Sequence, residues 1–122
     1  MGVPAEKMAT YEDVLAAPEH KIAQVIDGQL IVHPRPGPSH AVANSAVSDQ
    51  LGLPFKYGRG GPGGWHILFE PELHLKADIL VPDLAGWRRE KMPEMPREAF
   101  FSQAPDWVCE VLSPSTAGID RV

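Results

Sequence analysis

The run Ile79-Leu80-Val81-Pro82-Asp83-Leu84-Ala85, read together with Asp106-Trp107-Val108-Cys109-Glu110-Val111-Leu112-Ser113-Pro114-Ser115-Thr116, decides the fold of this chain. Each run is a stretch of strand-forming apolar residues interrupted by a single carboxylate. Side chains alternate along a strand, so Asp83 is expected to share a face with Ile79, Val81 and Ala85. By the same period Glu110 falls with Val108 and Leu112, opposite Trp107, Cys109 and Val111. Both runs read as strands buried on both faces. An unpaired carboxylate is costly to bury there. A divalent cation held between the two would offset that cost, which points to metal-dependent chemistry. Pro82 removes a ladder donor, and a local bulge would re-aim Asp83 out of the sheet. The alternative is structural: Asp83 caps a turn after Pro82, and Glu110 pairs with an arginine.

Working outward, the order of elements is helix, hairpin, helix and several strands. Thr10-Tyr-Glu-Asp13 resembles a capping box with Asp in place of Glu, opening a short helix that Pro18 ends. Ile22 to Val32 forms two apolar arms around Asp27-Gly28, a pair suited to a tight primed turn. Three prolines in His33-Pro-Arg-Pro-Gly-Pro38 halt the sheet. Ser39 then caps a helix over 40–52, with Val42, Ala46, Val47 and Leu51 on its apolar stripe. Strands are expected at 65–69, 72–76, 79–87 and 106–112, with a helical turn near 97–102. Pro114 stops the last strand, and Ser115 or Thr116 caps a following helix. Residues 1–9 read as a flexible N-terminal tail and 10–122 as one domain. The class is α/β or α+β with a mixed β-sheet.

Composition bounds the function. The chain has 122 residues, 43% of them hydrophobic, enough for one core. Eleven glycines and 13 prolines favour turns over long helices. A net charge of −5 opposes a molecule coated with phosphate-binding charge, yet permits a local basic groove. The single Cys109 excludes an internal disulfide and reads as a small core residue. No apolar stretch spans a bilayer and no signal peptide is visible, so cytoplasmic residence is expected.

Other constellations carry less. Glu70, Glu72, His74 and Lys76 share one strand face, and a Glu-x-His pair there is either a metal site or a solvated face; beside the Asp83 strand, Glu72 would be the third acidic contributor. The Gly58–Gly64 loop lacks the Gly-Lys-Ser/Thr ending of a phosphate-binding loop, and Pro62 removes an amide. Arg88, Arg89 and Lys91 either track a nucleic-acid backbone or form a solvated loop diluted by Glu90 and Glu94. No Ser/His/Asp set, zinc-type Cys/His spacing or dinucleotide fingerprint is present.

Val81-Pro82-Asp83 followed by Glu110-Val-Leu-Ser-Pro-Ser-Thr116 resembles the Uma family of putative restriction endonucleases, a branch of the PD-(D/E)XK nuclease superfamily. Thr10-Tyr-Glu-Asp-Val-Leu15, Val25-Ile-Asp-Gly-Gln-Leu30, Pro36-Gly-Pro-Ser-His40 and Asp120-Arg121 agree with it. The resemblance implies a restriction-endonuclease-like fold, a mixed sheet flanked by helices, with its C-terminal part missing from this chain. It also implies Mg²⁺ (or Mn²⁺) held by Asp83 and Glu110 for hydrolysis of DNA phosphodiesters. His40 matches a family position at the start of the second helix, where it orients a phosphate or carboxylate, or bonds to its own turn.

The resemblance is incomplete at four points. Leu112 stands where the superfamily has its lysine. Relatives draw a lysine from the helix after the Asp-Arg pair, beyond Val122. Gln24 and Gln29 stand where glutamates are common; Gln24 is expected in the catalytic set, where it would hydrogen-bond a metal-bound water without bringing charge to the site. Three readings follow: a metal-dependent endonuclease domain; an inactive remnant of it that binds a partner or forms a homodimer by covering its exposed sheet edge; or a metal-dependent hydrolase of another substrate.

Overall fold

The computed structural model describes residues 8–112. They group into two compact units, each built on one antiparallel sheet. The first takes in the described residues to Arg35 together with Glu72–Val81 and Glu98–Ala104. The second takes in Pro36–Pro71, Pro82–Arg97 and the residues from Pro105 onward.

In the first unit, helix α1 (Tyr11–Leu15) starts where expected: Asp13 Oδ2 accepts the Thr10 amide at 2.8 Å. Strands β1 (Lys21–Ile26) and β2 (Gln29–Pro34) form the expected hairpin. Asp27 and Gly28 both have positive φ (51° and 80°), as a primed turn requires. Strands β4 (Leu73–Leu75) and β5 (Asp78–Leu80) complete a sheet of order β2-β1-β5-β4. Ile22, Ala23, Val25, Leu73 and Ile79 are its buried core. Leu73 also makes an isolated parallel bridge to Phe101. The helical turn expected near 97–102 is not formed; those residues run through bends to that bridge, with the Phe101 amide bonded to the Glu72 carbonyl.

In the second unit, helix α2 (Pro38–Leu51) runs on into a π-helical turn, Gly52–Lys56. Gly37, not Ser39, is its N-cap, because Pro38 takes the first helical position, where its missing N–H costs nothing. The buried side of α2 also differs from the expected stripe. Val42 is 70% exposed and Ala46 is exposed, whereas His40 is buried and Ala43, Asn44, Val47 and Leu51 are half-buried at helical spacing.

Strands β3 (Trp65–Phe69), β6 (Leu84–Arg88) and β7 (Trp107–Cys109) form the second sheet, order β3-β6-β7. Leu84, Ala85 and Trp87 on the central strand are almost fully buried, so this strand is covered on both faces as expected. The run 79–87, however, is two strands in two sheets, parted at Val81-Pro82-Asp83. Proline there leaves the ladder without a donor and the pairing stops. Strand β7 is an edge, not doubly buried: Val108 and Leu112 are each 52% exposed, and Glu110 is exposed with them.

Candidate functional site

Asp83 occupies the bend that leads into β6, with its side chain 14% exposed. Two donors converge on its Oδ2. The amide of Val111 lies at 2.6 Å and His40 Nε2 at 3.3 Å. The Asp83 amide in turn donates to Glu110 Oε1 at 3.1 Å. Its carbonyl accepts the amide of Glu70 at 2.9 Å, which extends the β3–β6 ladder one step beyond Phe69 and Leu84. Thus the second unit brings Asp83, Glu110 and His40 together. The β6–β7 register accounts for this, since Leu84 opposite Cys109 sets Asp83 beside Glu110.

Cys109 feels the same two carboxylates. Burial pushes its thiol up from the ordinary range, and the charges of Asp83 and Glu110 add to that shift. A thiol held protonated is a poor nucleophile, which suits a packing role. One helical turn beyond His40, Asn44 Oδ1 is buried with no hydrogen-bond partner among the described residues.

The other expected site residues lie in the first unit. Gln24 gives its Oε1 to the Val81 amide at 2.7 Å and its Nε2 lies 3.4 Å from His33 Nε2. Its side chain therefore anchors the chain two residues ahead of Asp83. Glu72 is bonded to His74 Nε2 at 2.8 Å. Burial raises the Tyr11 hydroxyl, and the Glu72 charge and hydrogen bond raise it further. The His74 ring stacks on Phe100 at 3.7 Å, with Tyr11 edge-on to both. Glu70 and Lys76 do not share the Glu72 face: β4 is only three residues long, and these two sit at its flanks with positive φ (46° and 59°). No group of three or more His, Cys, Asp or Glu side chains is arranged for a metal among the described residues. The Asp120-Arg121 pair and the helix expected after Pro114 lie outside the described residues.

The Val111 amide could not be found from residue types, because any residue but proline supplies an N–H. Its signal is the register of β7 against β6. A cavity of about 140 Å³ in the same unit is lined by Leu51, Phe55, Trp65, Ile67 and Trp107, and neither carboxylate contributes to it.

A family model described as "Putative restriction endonuclease", Uma2, matches residues 8–122. The chain belongs to the Uma2 family. Among solved structures, it is similar to a putative nuclease belonging to DUF820 from Anabaena variabilis ATCC 29413. The TM-score is 0.71 at 23% identity, over 93% of this chain and 64% of that one. That likeness establishes the fold, a mixed α/β architecture, and this Uma2 chain spans 64% of that neighbour's length. No curated protein matches the chain. No helix among the described residues is long and apolar enough to cross a membrane.

Proposed function

We propose that Asp83 and Glu110 hold a divalent cation, Mg²⁺ or Mn²⁺, for hydrolysis of DNA phosphodiester bonds in the cytoplasm. The observation that carries this reading is the direct bond from the Asp83 amide to Glu110 Oε1, which brings a Pro-Asp bend and a second acidic residue to one place. The donor chemistry fits a hard cation, since Mg²⁺ needs only one or two protein carboxylates, with water and substrate phosphate supplying the rest. When bound, such an ion supplies Lewis-acid polarisation of the phosphate and lowers the pKa of a water.

The chain's own groups prepare that site. Val111 N–H and His40 fix Asp83 through Oδ2, so the carboxylate has one orientation before any ligand arrives. Cys109, the last residue of β7, and Val111 just after it are half-buried, while Glu110 between them is exposed where a substrate has access. Leu112, at the superfamily lysine position, brings no proton or charge, so a general acid or base must come from elsewhere in the protein.

Calorimetric titration of Mg²⁺ and Mn²⁺ tests the reading. Binding that disappears in Asp83→Ala supports it. Binding unchanged by that substitution sinks it, as does plasmid nicking that persists undiminished in Glu110→Ala.

A second reading, a homodimerising module without catalysis, is favoured by one observation. Strand β2 is a sheet edge on which Leu30, Ile31 and Val32 are each about 40% exposed. An apolar edge of this kind pairs readily with another strand. Sedimentation of the chain against Ile31→Lys separates the cases: a dimer converted to monomer supports the module, and a monomer throughout removes it.

A further inference from the structure

We propose that Lys56, Arg88 and Arg89, braced by Trp65, form a grip for the phosphate backbone of duplex DNA flanking the carboxylates. The proposal takes its partner from the nuclease reading above, but it concerns a different surface of the second unit. Strand β6 carries Asp83 just before its first residue and Arg88 as its last. At about 3.4 Å per residue the two are about 17 Å apart along the strand, roughly five base-pair steps of duplex.

The cations are held in place. The Arg88 guanidinium carbon lies 5.0 Å above the Trp65 ring, directly across the ladder. Stacking engages one face of the guanidinium and leaves its in-plane N–H groups for a phosphate. Arg89 donates from Nη2 to the Lys56 carbonyl and from its amide to the Gly64 carbonyl, each at 2.9 Å. These bonds tie the π-helical turn, the glycine loop and the end of β6 into one piece. Lys56 Nζ lies 5.6 Å from the ring of Tyr57, itself 64% exposed. Side chains ordered before binding lose less entropy when a ligand arrives.

The local charge is the reverse of the chain's net −5. Segments 56–66 and 88–91 contain Lys56, Arg59, Arg88, Arg89 and Lys91 against a single acid, Glu90. Asp106 approaches this surface but is engaged there: it accepts the Arg88 amide at 2.8 Å and Lys91 Nζ at 2.9 Å. The acid thus offsets Lys91 and draws on the charge of Arg88 as well. Two arginine forks and a lysine suit the paired oxygens of successive phosphates.

The test is fluorescence anisotropy of a short labelled duplex with the 122-residue chain in EDTA, at several salt concentrations. Each lost phosphate contact lowers the slope of log K against log salt by about 0.9, so Arg88→Ala/Arg89→Ala lowers it by roughly 1.8 and Lys56→Gln by about 0.9. Arg89→Gln, a surface change whose fold is checked by circular dichroism, lowers the slope even if the double variant fails to fold. The proposal is overturned if folded Arg89→Gln and Lys56→Gln keep the full slope, if the chain binds no duplex, or if polyglutamate competes as well as unlabelled duplex. Failure of the nuclease reading shows separately, as metal binding indifferent to Asp83 while the arginine variants still lose DNA.

Discussion

His40 Nε2 lies 3.3 Å from Asp83 Oδ2, tying the first turn of α2 to the bend that opens β6. Both side chains are nearly out of solvent, 9% and 14% exposed, so the bond is shielded from competing water. Groups that orient a metal-ligating side chain typically matter 10- to 100-fold, on the order of what is expected here. On the proposed metal reading of Asp83 and Glu110, His40→Ala should therefore weaken Mn²⁺ binding by roughly 10- to 100-fold while the carboxylates remain. His40→Gln, which retains a donor, should recover part of that loss. Titration calorimetry on both variants checks this; equal affinities for wild type and His40→Ala would mean the histidine only fills space.

The β1–β2 turn gives a sharper structural test. Gly28 has φ +80°, and its carbonyl receives the Ala9 amide at 2.8 Å. A Cβ there would also meet the end of the Met8 side chain, which can move aside. The backbone term therefore dominates, and a side chain in the left-handed region costs about 1–2 kcal/mol. Gly28→Ala should lower stability by about that amount, whereas Asp27→Asn, which tolerates positive φ, should be close to neutral. Urea midpoints of the two variants distinguish them.

These elements also show where sequence reading succeeds. The Asp27-Gly28 hairpin, the capping box at Thr10 and the strand Trp65–Phe69 are local features, fixed by turn chemistry and a period of two. The juxtaposition of Asp83 and Glu110 follows from two short motifs and is equally visible. The division of 79–87 is only half visible: Pro82 marks a break in the ladder, but the apolar residues on both sides of it do not say that the chain changes sheet. The buried side of α2 is hidden for another reason. Small and polar residues make up much of this helix, so its apolar content marks the packing side poorly, and His40 on that side meets Asp83. Likewise Glu72 looks like a ligand until Tyr11 and His74 are seen to engage it.

Asp106 predicts a pH dependence. The amide of Arg88 and then the ammonium of Lys91 hold its carboxyl below the ordinary aspartate value. A group with a lowered folded pKa binds fewer protons in the native state. Its stabilisation is therefore complete above the unfolded value, 3.8, and is lost as pH falls through the lower folded value. Asp106→Asn should lower the urea midpoint at neutral pH and narrow its difference from wild type as the solution is acidified below 3.8. A midpoint difference constant across that acid range would assign the aspartate a purely steric role.

Gly86 supplies the last test, since the central strand β6 is roofed by its neighbours there. A Cβ on Gly86 would stand 3.2 Å from both Ile67 Cδ1 and Trp65 Cε3, and 3.3 Å from Trp107 Cε3. Ile67 and Trp107 are its direct cross-strand partners, so the two indoles close over a position that has no side chain of its own. A methyl requires these groups to yield by a few tenths of an ångström; a branched side chain requires them to leave. Gly86→Val should thus cost about 1–3 kcal/mol as overpacking, with Gly86→Ala much milder. Because Trp65 also braces Arg88, displacing its indole should loosen the guanidinium as well. Tryptophan fluorescence should shift with Gly86→Val, and on the proposed phosphate grip duplex affinity should fall in parallel with that shift rather than with global stability.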